Sequence, residues 1–307
     1  MDFINNTYQT KDGVDLVTYF WECEQPKGVV HIVHGMSEHA ARYNEFALYL
    51  NQHGYLVFAS DLRGHGKTAG SLDKVGMFAM QDGWSKVVND VINLSKELDH
   101  KYGKLPLYLL GHSMGSFIAR SVAILCPPEI DGYIFSATAG HPGLLGKVGV
   151  HVANLNLKLM GKINRSKMMT QLAFGDFNKK YQDKRTEKDW LTKDTDIVDN
   201  YIADPYCMQI FTSQFYQDLL TGILSINETF QIRKMEKTKP ILMFAGDMDP
   251  VGDYGTGPKE VYDKFQKSGI EDVTLKIYES GRHEMLNETN REEVYGMIID
   301  WLESKKR

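Results

Sequence analysis

The sequence predicts an α/β protein whose mostly parallel, eight-stranded sheet is flanked by helices and carries an inserted helical lid. Three observations lead to this class. Short apolar segments rich in β-branched residues alternate with segments of helical periodicity, positions 141–239 interrupt that alternation, and it resumes at position 240. Alternation of strands with helices implies right-handed crossovers and a sheet covered on both faces.

Eight segments have the pattern of strands. The first two alternate between apolar and polar residues, as half-exposed strands do, and turn residues at 11–13 join them. Most of the later segments are short and almost wholly apolar, as strands buried on both faces are. The predicted strands are 3–10, 14–22, 29–35, 55–61, 105–113, 131–138, 240–247 and 273–280.

Helical periodicity marks the segments between these strands. In the clearest case, Val87, Val91, Leu94 and Leu98 recur at helical spacing and Gly103 ends the segment. The predicted helices of the core are 41–54, 83–103, 113–126, 258–269 and 291–306.

The interval 141–239 has no clear strand. Its apolar positions, among them Val152, Leu155, Leu159 and Met160, indicate helices. We therefore divide the chain into an α/β core of residues 1–140 and 240–307 and a helical lid, or cap, of residues 141–239. An insert that merely enlarges the core is the alternative.

The composition is that of an ordinary globular protein and excludes several classes of function. Hydrophobic residues make up 42% of the chain and charged residues 24%, and the net charge is -5. A nucleic-acid surface needs a basic bias that this chain lacks. Cys23, Cys126 and Cys207 are odd in number and form no CxxC pair, so their spacing predicts neither a disulfide framework nor a zinc site.

The sequence also bears on location. Its first residues lack the basic-then-apolar order of a signal peptide, and no apolar run approaches the roughly 18 residues that span a bilayer. We expect a cytoplasmic protein that could still make transient contact with membrane lipid. The oligomeric state is not predictable from these residues.

Ser113 stands where a predicted strand meets a predicted helix. Gly111, His112, Ser113, Met114 and Gly115 fit the pattern G-x-S-x-G. In this motif a sharp turn exposes the serine hydroxyl, and the flanking residues must be small because neighbouring backbone lies close. The context predicts a catalytic nucleophile.

A nucleophilic serine needs a base and an orienting carboxylate, which follow it in the order acid, then histidine. Of ten histidines only three come after Ser113, and His283 alone lies in the loop after the last predicted strand. The acid should follow the strand 240–247. Asp249 is the preferred candidate because Gly246 permits the turn and Pro250 stiffens the chain; Asp247 and Asp253 compete with it.

The negative oxygen formed during attack needs donors that are already in place. One should be the backbone N–H of Met114, the residue after the nucleophile. The other should come from the loop after the strand 29–35, where Met36 follows His34 and Gly35. We assign His34 a structural role in shaping that loop, because it precedes the serine and ends a strand.

Five segments resemble one known group of proteins. HGMSEHAARY, DLRGHGKTAG, GHSMGS, GDMDPV and SGRHEML follow one another in order. Together they resemble the monoacylglycerol lipase and lysophospholipase branch of the α/β-hydrolases, a group often labelled serine aminopeptidase-like. The resemblance extends from Val29 to the final helix, so it implies the α/β-hydrolase fold with a lid in the usual place.

The resemblance implies a role for each matched position. It makes Ser113, Asp249 and His283 the catalytic triad and the N–H groups of Met36 and Met114 the oxyanion hole. It implies that Glu38, His39, Arg42 and Tyr43 shape the entrance or its supporting loop, with Glu38 and His39 as candidates for substrate contact. The loop with Asp61, Arg63, His65 and Gly66 is implied to brace the end of the sheet.

The implied activity is hydrolysis of a lipid-like ester, such as a monoacylglycerol or a lysophospholipid, through an acyl-enzyme. Such a site needs no metal and no organic cofactor. A short-chain carboxylesterase or a thioesterase would use the same triad, and an aminopeptidase would present an acidic group such as Glu38 to a substrate amine. A receptor built on a hydrolase fold is the non-enzymatic alternative.

Overall fold

The computed structural model describes residues 3–175, 177–181 and 184–305. These residues form one sheet of eight strands, as predicted. In chain order the strands β1 to β8 are Ile4–Gln9, Asp15–Trp21, Gly28–Val33, Tyr55–Ser60, Leu107–His112, Gly132–Ser136, Ile241–Gly246 and Val273–Tyr278.

The strand order across the sheet is β1-β2-β4-β3-β5-β6-β7-β8. The pairs β1–β2 and β2–β4 are antiparallel, and every other pair is parallel. The predicted fold class, a mostly parallel sheet flanked by helices, is therefore confirmed. The central strands β3 to β7 are buried along their whole length, which explains their continuous apolar sequences.

The described residues also form ten α-helices, and several short 3₁₀ turns lie between them. In chain order the helices α1 to α10 are Asn44–Gln52, Gly83–Tyr102, Met114–Leu125, Gly143–Met160, Lys167–Phe174, Thr195–Ala203, Ser213–Ile226, Thr229–Ile232, Thr256–Lys267 and Arg291–Ser304. None of the helices in the described ranges is both long and apolar enough to cross a membrane.

The helices of the core cover the two faces of the sheet. One apolar cluster joins α2, α3 and α9 to the sheet, with Val91, Phe117 and Phe265 among its buried members. A second cluster joins α1 and α10 to the other face, with Phe46 and Ile298 among its members. Burial of apolar surface on both faces is the main stabilising contribution to such a layered fold.

The helices α4 to α8 lie between β6 and β7 in the chain, and we call residues 143–232 the helical insertion. Its helix α4 packs on α7, and α7 packs on α2 and α3 of the core. The helical character predicted for this interval matches the structure. The domain boundaries at 141 and 239, and the action of the insertion as a lid, stay predictions.

One predicted helix begins differently. The segment 41–54 starts as a tight 3₁₀ turn over Ala40–Tyr43, and α1 follows it. The N–H of Ala40 donates to the carboxylate of Asp61, which anchors the turn. This turn brings Arg42 and Tyr43 to the same carboxylate, that of Glu38.

Candidate active site

The predicted site residues all follow carboxyl ends of parallel strands. Met36 and Glu38 follow β3, Ser113 follows β5, Asp249 follows β7 and His283 follows β8. Because these ends share one edge of the sheet, the fold brings together residues that are far apart in sequence.

Ser113 adopts a strained backbone conformation, with φ 52° and ψ -121°. Side-chain-bearing residues rarely take a positive φ. A Cβ on Gly111 would lie 2.3 Å from the carbonyl oxygen of Gly115, and a Cβ on Gly115 would lie 2.0 Å from that of Val33. The two glycines are therefore required by the close approach of backbone on both sides of the serine.

His283 pairs with one of the three candidate carboxylates. Its Nδ1 lies 2.9 Å from Oδ1 of Asp249, and the side chains are 2% and 0% exposed. The same oxygen of Asp249 accepts the N–H of Val251. Asp253 instead accepts a hydrogen bond from the hydroxyl of Thr256. Among the three, the structure brings Asp249 to His283.

The surroundings of His283 raise the pKa of its imidazole and so favour the protonated form. Burial alone would lower the pKa of His283, but the carboxylate of Asp249 outweighs burial, and the net shift is upward. The ring centroid of Trp190 lies 5.0 Å from that of His283 and the ring centroid of His112 lies 4.9 Å away. The imidazole is thus held by one hydrogen bond and two ring contacts.

The two predicted oxyanion donors lie at the same cavity as Ser113 and His283. Met114 is the first residue of α3, so its N–H has no acceptor within the helix. Met36 belongs to the loop after β3, next to Gly35. A Cβ on Gly35 would lie 3.3 Å from Cβ of Ser113, which shows how closely this loop approaches the serine.

Glu38 lines the cavity, but both of its carboxylate oxygens are occupied by groups of the chain. One oxygen accepts the N–H of Gly35 and, at 2.9 Å, the hydroxyl of Tyr43. The other accepts Nη1 of Arg42 at 2.7 Å. Arg42 also binds both oxygens of Glu284, the residue after His283, at 2.8 and 2.7 Å.

This cluster joins the loop after β3 to the loop that carries His283. Burial alone would raise the pKa of Glu284, but the Arg42 guanidinium outweighs it and holds that pKa at about 2. Glu284 was not among the residues predicted from the sequence to belong to the site. Its adjacency to His283 in the sequence was the signal that could have found it.

His39, the other candidate for substrate contact, is not among the described residues that line the cavity. Its Nε2 lies 2.8 Å from Oδ2 of Asp204 in the helical insertion. The substrate-contact roles of Glu38 and His39 therefore stay predictions, and the observed contacts of both are with the chain itself.

The structural roles expected for the neighbouring loops agree with the contacts. His34 accepts the N–H of Leu62 through Nε2, and burial lowers the pKa of its imidazole to about 3. The carboxylate of Asp61 accepts the N–H groups of Ala40 and Lys67. Arg63 forms a buried ion pair with Asp90 at 2.6 Å.

Ser113 and His283 open into a cavity of about 840 Å³. The helical insertion supplies an apolar part of its wall, consisting of Val148, Val152, Leu219, Leu220 and Ile223. A volume of this size suits a small organic ligand, and an apolar wall suits a hydrocarbon chain.

The chain is similar to known proteins over nearly its whole length. The family model described as "Serine aminopeptidase, S33" matches residues 24–290. The monoacylglycerol lipase of Mycolicibacterium smegmatis is 28% identical over 298 residues, which cover 95% of this chain and 94% of that relative. The monoglyceride lipase of Rattus norvegicus is 27% identical over 275 residues, with 89% and 80% covered.

A solved structure is similar as well. The highly thermostable carboxyl esterase from Bacillus coagulans, crystallised with glycerol, has a TM-score of 0.90 and 30% identity, with 99% of each chain covered. The resemblance carried by the five sequence motifs is thereby confirmed. The chain belongs to the serine aminopeptidase S33 family of α/β-hydrolases.

Proposed function

We propose that this protein hydrolyses carboxylic esters of lipid-like substrates, with monoacylglycerols as the leading class. Ser113 is the nucleophile, His283 the general base and acid, and Asp249 the carboxylate that orients the imidazole. The N–H groups of Met36 and Met114 form the oxyanion hole. The observation that carries this proposal is the buried hydrogen bond between His283 and Asp249, at the same apolar cavity as a strained serine.

The reaction proceeds in two acyl-transfer steps. His283 takes the proton of the Ser113 hydroxyl as its oxygen attacks the ester carbonyl, and Asp249 stabilises the imidazolium. The two N–H groups stabilise the tetrahedral oxyanion. Its collapse breaks the bond to the leaving alcohol, which receives the proton from His283. Water then attacks the acyl-enzyme by the same route and releases the fatty acid.

The helical insertion acts in this proposal as the lid that binds the acyl chain. Burial of each CH₂ group contributes about 0.8 kcal/mol, so an apolar wall selects for hydrocarbon length. The names of the relatives agree with this substrate class, because two are lipases of monoacylglycerols and the similar esterase was crystallised with glycerol.

The insertion also offers a surface for transient contact with lipid. Large apolar side chains are exposed there, at fractions of 57% to 72%: Leu155, Leu159, Met160, Ile163 and Leu172. These side chains lie within one stretch of the chain, residues 155–172, and exposed apolar patches mark interaction sites. We propose that this patch meets the lipid phase that holds the substrate. The cytoplasmic location stays a prediction.

Initial rates on a matched panel of substrates test the proposal, with Ser113→Ala as the blank. The panel holds monoacylglycerols of several chain lengths, a lysophospholipid, a p-nitrophenyl ester, an acyl-CoA and an aminoacyl-naphthylamide. We expect monoacylglycerols to give a kcat/KM at least tenfold above the other unactivated substrates. We expect no hydrolysis above background by the alanine variant.

Three other outcomes would each contradict a different part. Reaction with the nitrophenyl ester alone would support the assignment of the triad and contradict the assignment of a lipid substrate. Preference for the aminoacyl substrate would support a peptidase, although the carboxylate of Glu38 is already bound to Arg42. Absence of all turnover, with tight binding of an ester, would support a receptor.

A further inference from the structure

Three side chains of types that can bind metal ions lie close together beside the candidate active site. They are His39 from the loop after β3 and Asp204 and Cys207 from the turn after α6, and one ligand atom of each lies within 4.8 Å of the other two. We propose that they form a binding site for a soft divalent cation such as Zn²⁺. The cysteine spacing alone predicted no such site, because two of the ligands are not cysteines.

The backbone holds the two ligands of the insertion in one turn. Oδ1 of Asp204 accepts the N–H of Tyr206 at 2.8 Å, which leaves Oδ2 directed at His39. The carbonyl oxygen of Asp204 accepts the N–H of Cys207 at 3.0 Å. The carboxylate and the thiol are therefore presented from neighbouring positions of a single turn.

An ordinary ion pair accounts for two of the three groups but not for the third. His39 and Asp204 are 15% and 28% exposed, and a pair of this kind contributes little to stability. Cys207 is 1% exposed and forms no part of that ion pair, yet its sulfur lies within 4.8 Å of both partners. A buried thiol beside an imidazole and a carboxylate is the donor set that zinc prefers.

The distances need only a small adjustment. Zinc takes nitrogen and oxygen ligands at about 2.0–2.2 Å and thiolate at about 2.3 Å, so tetrahedral ligand atoms lie roughly 3.3–3.6 Å apart. Nε2 of His39 and Oδ2 of Asp204, at 2.8 Å, must separate slightly, and Sγ of Cys207, within 4.8 Å of both, must come to coordination distance. The proposal requires side-chain rotations for both changes. Binding releases the thiol proton to solvent as the S–Zn bond forms.

The donor types also define which ions fit. Thiolate and imidazole favour Zn²⁺, Co²⁺ and Cd²⁺ over Mg²⁺ and Ca²⁺, which require oxygen ligands. Three protein ligands leave a fourth position open. Cys207 lines the cavity, and His39 directly follows Glu38 of the oxyanion loop. A bound ion thus fastens the insertion to that loop at the wall of the catalytic cavity.

This fastening has a consequence for activity that rests on the proposed function. A bound ion fixes the insertion against the loop that holds Met36, and it displaces Cys207 from the cavity wall. We expect Zn²⁺ to inhibit ester hydrolysis reversibly, with recovery on addition of a chelator. Metal binding is measured without turnover, so a failure of the metal-site proposal can be distinguished from a failure of the proposed ester hydrolysis.

The test is a titration of the whole protein with Co²⁺, which reports thiolate ligation by a charge-transfer band in the near ultraviolet. We expect the wild-type protein to show the band at one equivalent and Cys207→Ser to lack it. Cys126→Ser, which removes a thiol far from the site in the fold, is the matched control and should keep the band. Asp204→Asn should weaken Zn²⁺ affinity, measured by dye competition, at least tenfold.

Three results would overturn the proposal. They are a wild-type protein without the band, a band that persists in Cys207→Ser, or an unchanged Zn²⁺ affinity in Asp204→Asn. Thermal melts of every variant establish that the fold is intact, and His39→Gln gives a second way to remove a ligand without touching the turn. Zinc inhibition that persists in Cys207→Ser would show that the inhibitory ion binds elsewhere and would overturn the coupling.

Discussion

Ser113 owes its position at the cavity to its neighbours more than to its own side chain. Its φ of 52° is tolerated because Gly111 and Gly115 allow backbone to pass within contact distance on both sides. Motifs of this kind can be recognised from sequence, because all residues that form the turn are consecutive in the chain. For this reason the elbow and the loop position of His283 were predictable before the structure.

Gly115→Ala tests this backbone requirement. The new Cβ would lie 2.0 Å from the carbonyl oxygen of Val33, so we expect the elbow to shift, kcat/KM to fall at least tenfold and the free energy of unfolding to drop by about 1–3 kcal/mol. The control is Gly296→Ala in α10, where no atom lies within 4 Å of the new Cβ. That variant should be stabilised by about 0.5–1 kcal/mol.

The pH dependence of kcat/KM tests the assignment of His283. In the proposed mechanism only the neutral imidazole of His283 accepts the proton of Ser113. Burial lowers the pKa of His283, but the charges of Asp249 and Glu284 outweigh burial and raise that pKa above 6.5. Activity should therefore be lost as the pH falls through a midpoint above 6.5. Glu284→Gln removes one of the raising charges and should move that midpoint downward. A midpoint below 6.5, or one that the variant leaves in place, would contradict the assignment.

The roles of Glu38 and Glu284 show where residue-by-residue prediction ends. Glu38 resembled a substrate contact because its motif places it at the entrance. Its actual partners include Arg42, which binds Glu284 from the far end of the chain. No spacing rule connects positions 38 and 284, so only the folded geometry reveals that the carboxylate is already occupied.

At the scale of elements, apolar periodicity predicted the strands and helices because each buried face leaves a regular trace in the sequence. The order of the strands across the sheet left no such trace. For example, β4 lies between β2 and β3 in the sheet although it follows β3 in the chain. This exchange depends on how the strands pair in the folded sheet. Residues 41–43 of the 3₁₀ turn Ala40–Tyr43 were predicted as part of the helix 41–54, because the turn is anchored by an acceptor that is distant in sequence, Asp61.

Arg42→Gln tests the link between two of these elements. Arg42 is 12% exposed and bridges two glutamates that are each 4% exposed. Its loss leaves both carboxylates uncompensated, so we expect the free energy of unfolding to fall by about 3–5 kcal/mol in urea titration. Arg42→Lys should recover part of that loss.

The matched control for this variant is Arg291→Gln. Arg291 also bridges two carboxylates, those of Glu45 and Asp194, but at a more exposed site. Its replacement should cost about 1 kcal/mol or less. Equal losses in the two arginine variants would show that burial of the Arg42 cluster is not the deciding factor.

At the scale of the whole molecule, four buried histidines make folding sensitive to acid. Burial lowers the pKa values of His31, His34 and His65 to about 3 and that of His112 to about 4. The unfolded chain takes up protons near pH 6.5, whereas the folded chain does not. Stability is therefore present above 6.5 and is lost progressively as the pH falls from 6.5 towards 3.

His31→Gln should reduce this acid sensitivity. In this variant the difference in bound protons between the unfolded and folded states is smaller by one. The slope of unfolding free energy against pH should therefore fall by up to about 1.4 kcal/mol per pH unit. Urea titrations between pH 6 and 4.5 measure the slope. His100→Gln, at an exposed position of α2, is the matched substitution control. Identical slopes in wild type and His31→Gln would contradict the prediction.

The placement of the helical insertion between β6 and β7 also affects the order in which parts of the molecule fold. β6 ends at Ser136 and its neighbour β7 begins only at Ile241, so their pairing closes a long loop at an entropic cost. The strands that present Ser113 precede this loop, and those that present Asp249 and His283 follow it. A refolding chain therefore regains secondary structure before activity. Until the loop closes, the chain carries Ser113 without Asp249 and His283 in place, so we expect incompletely folded molecules to have no esterase activity.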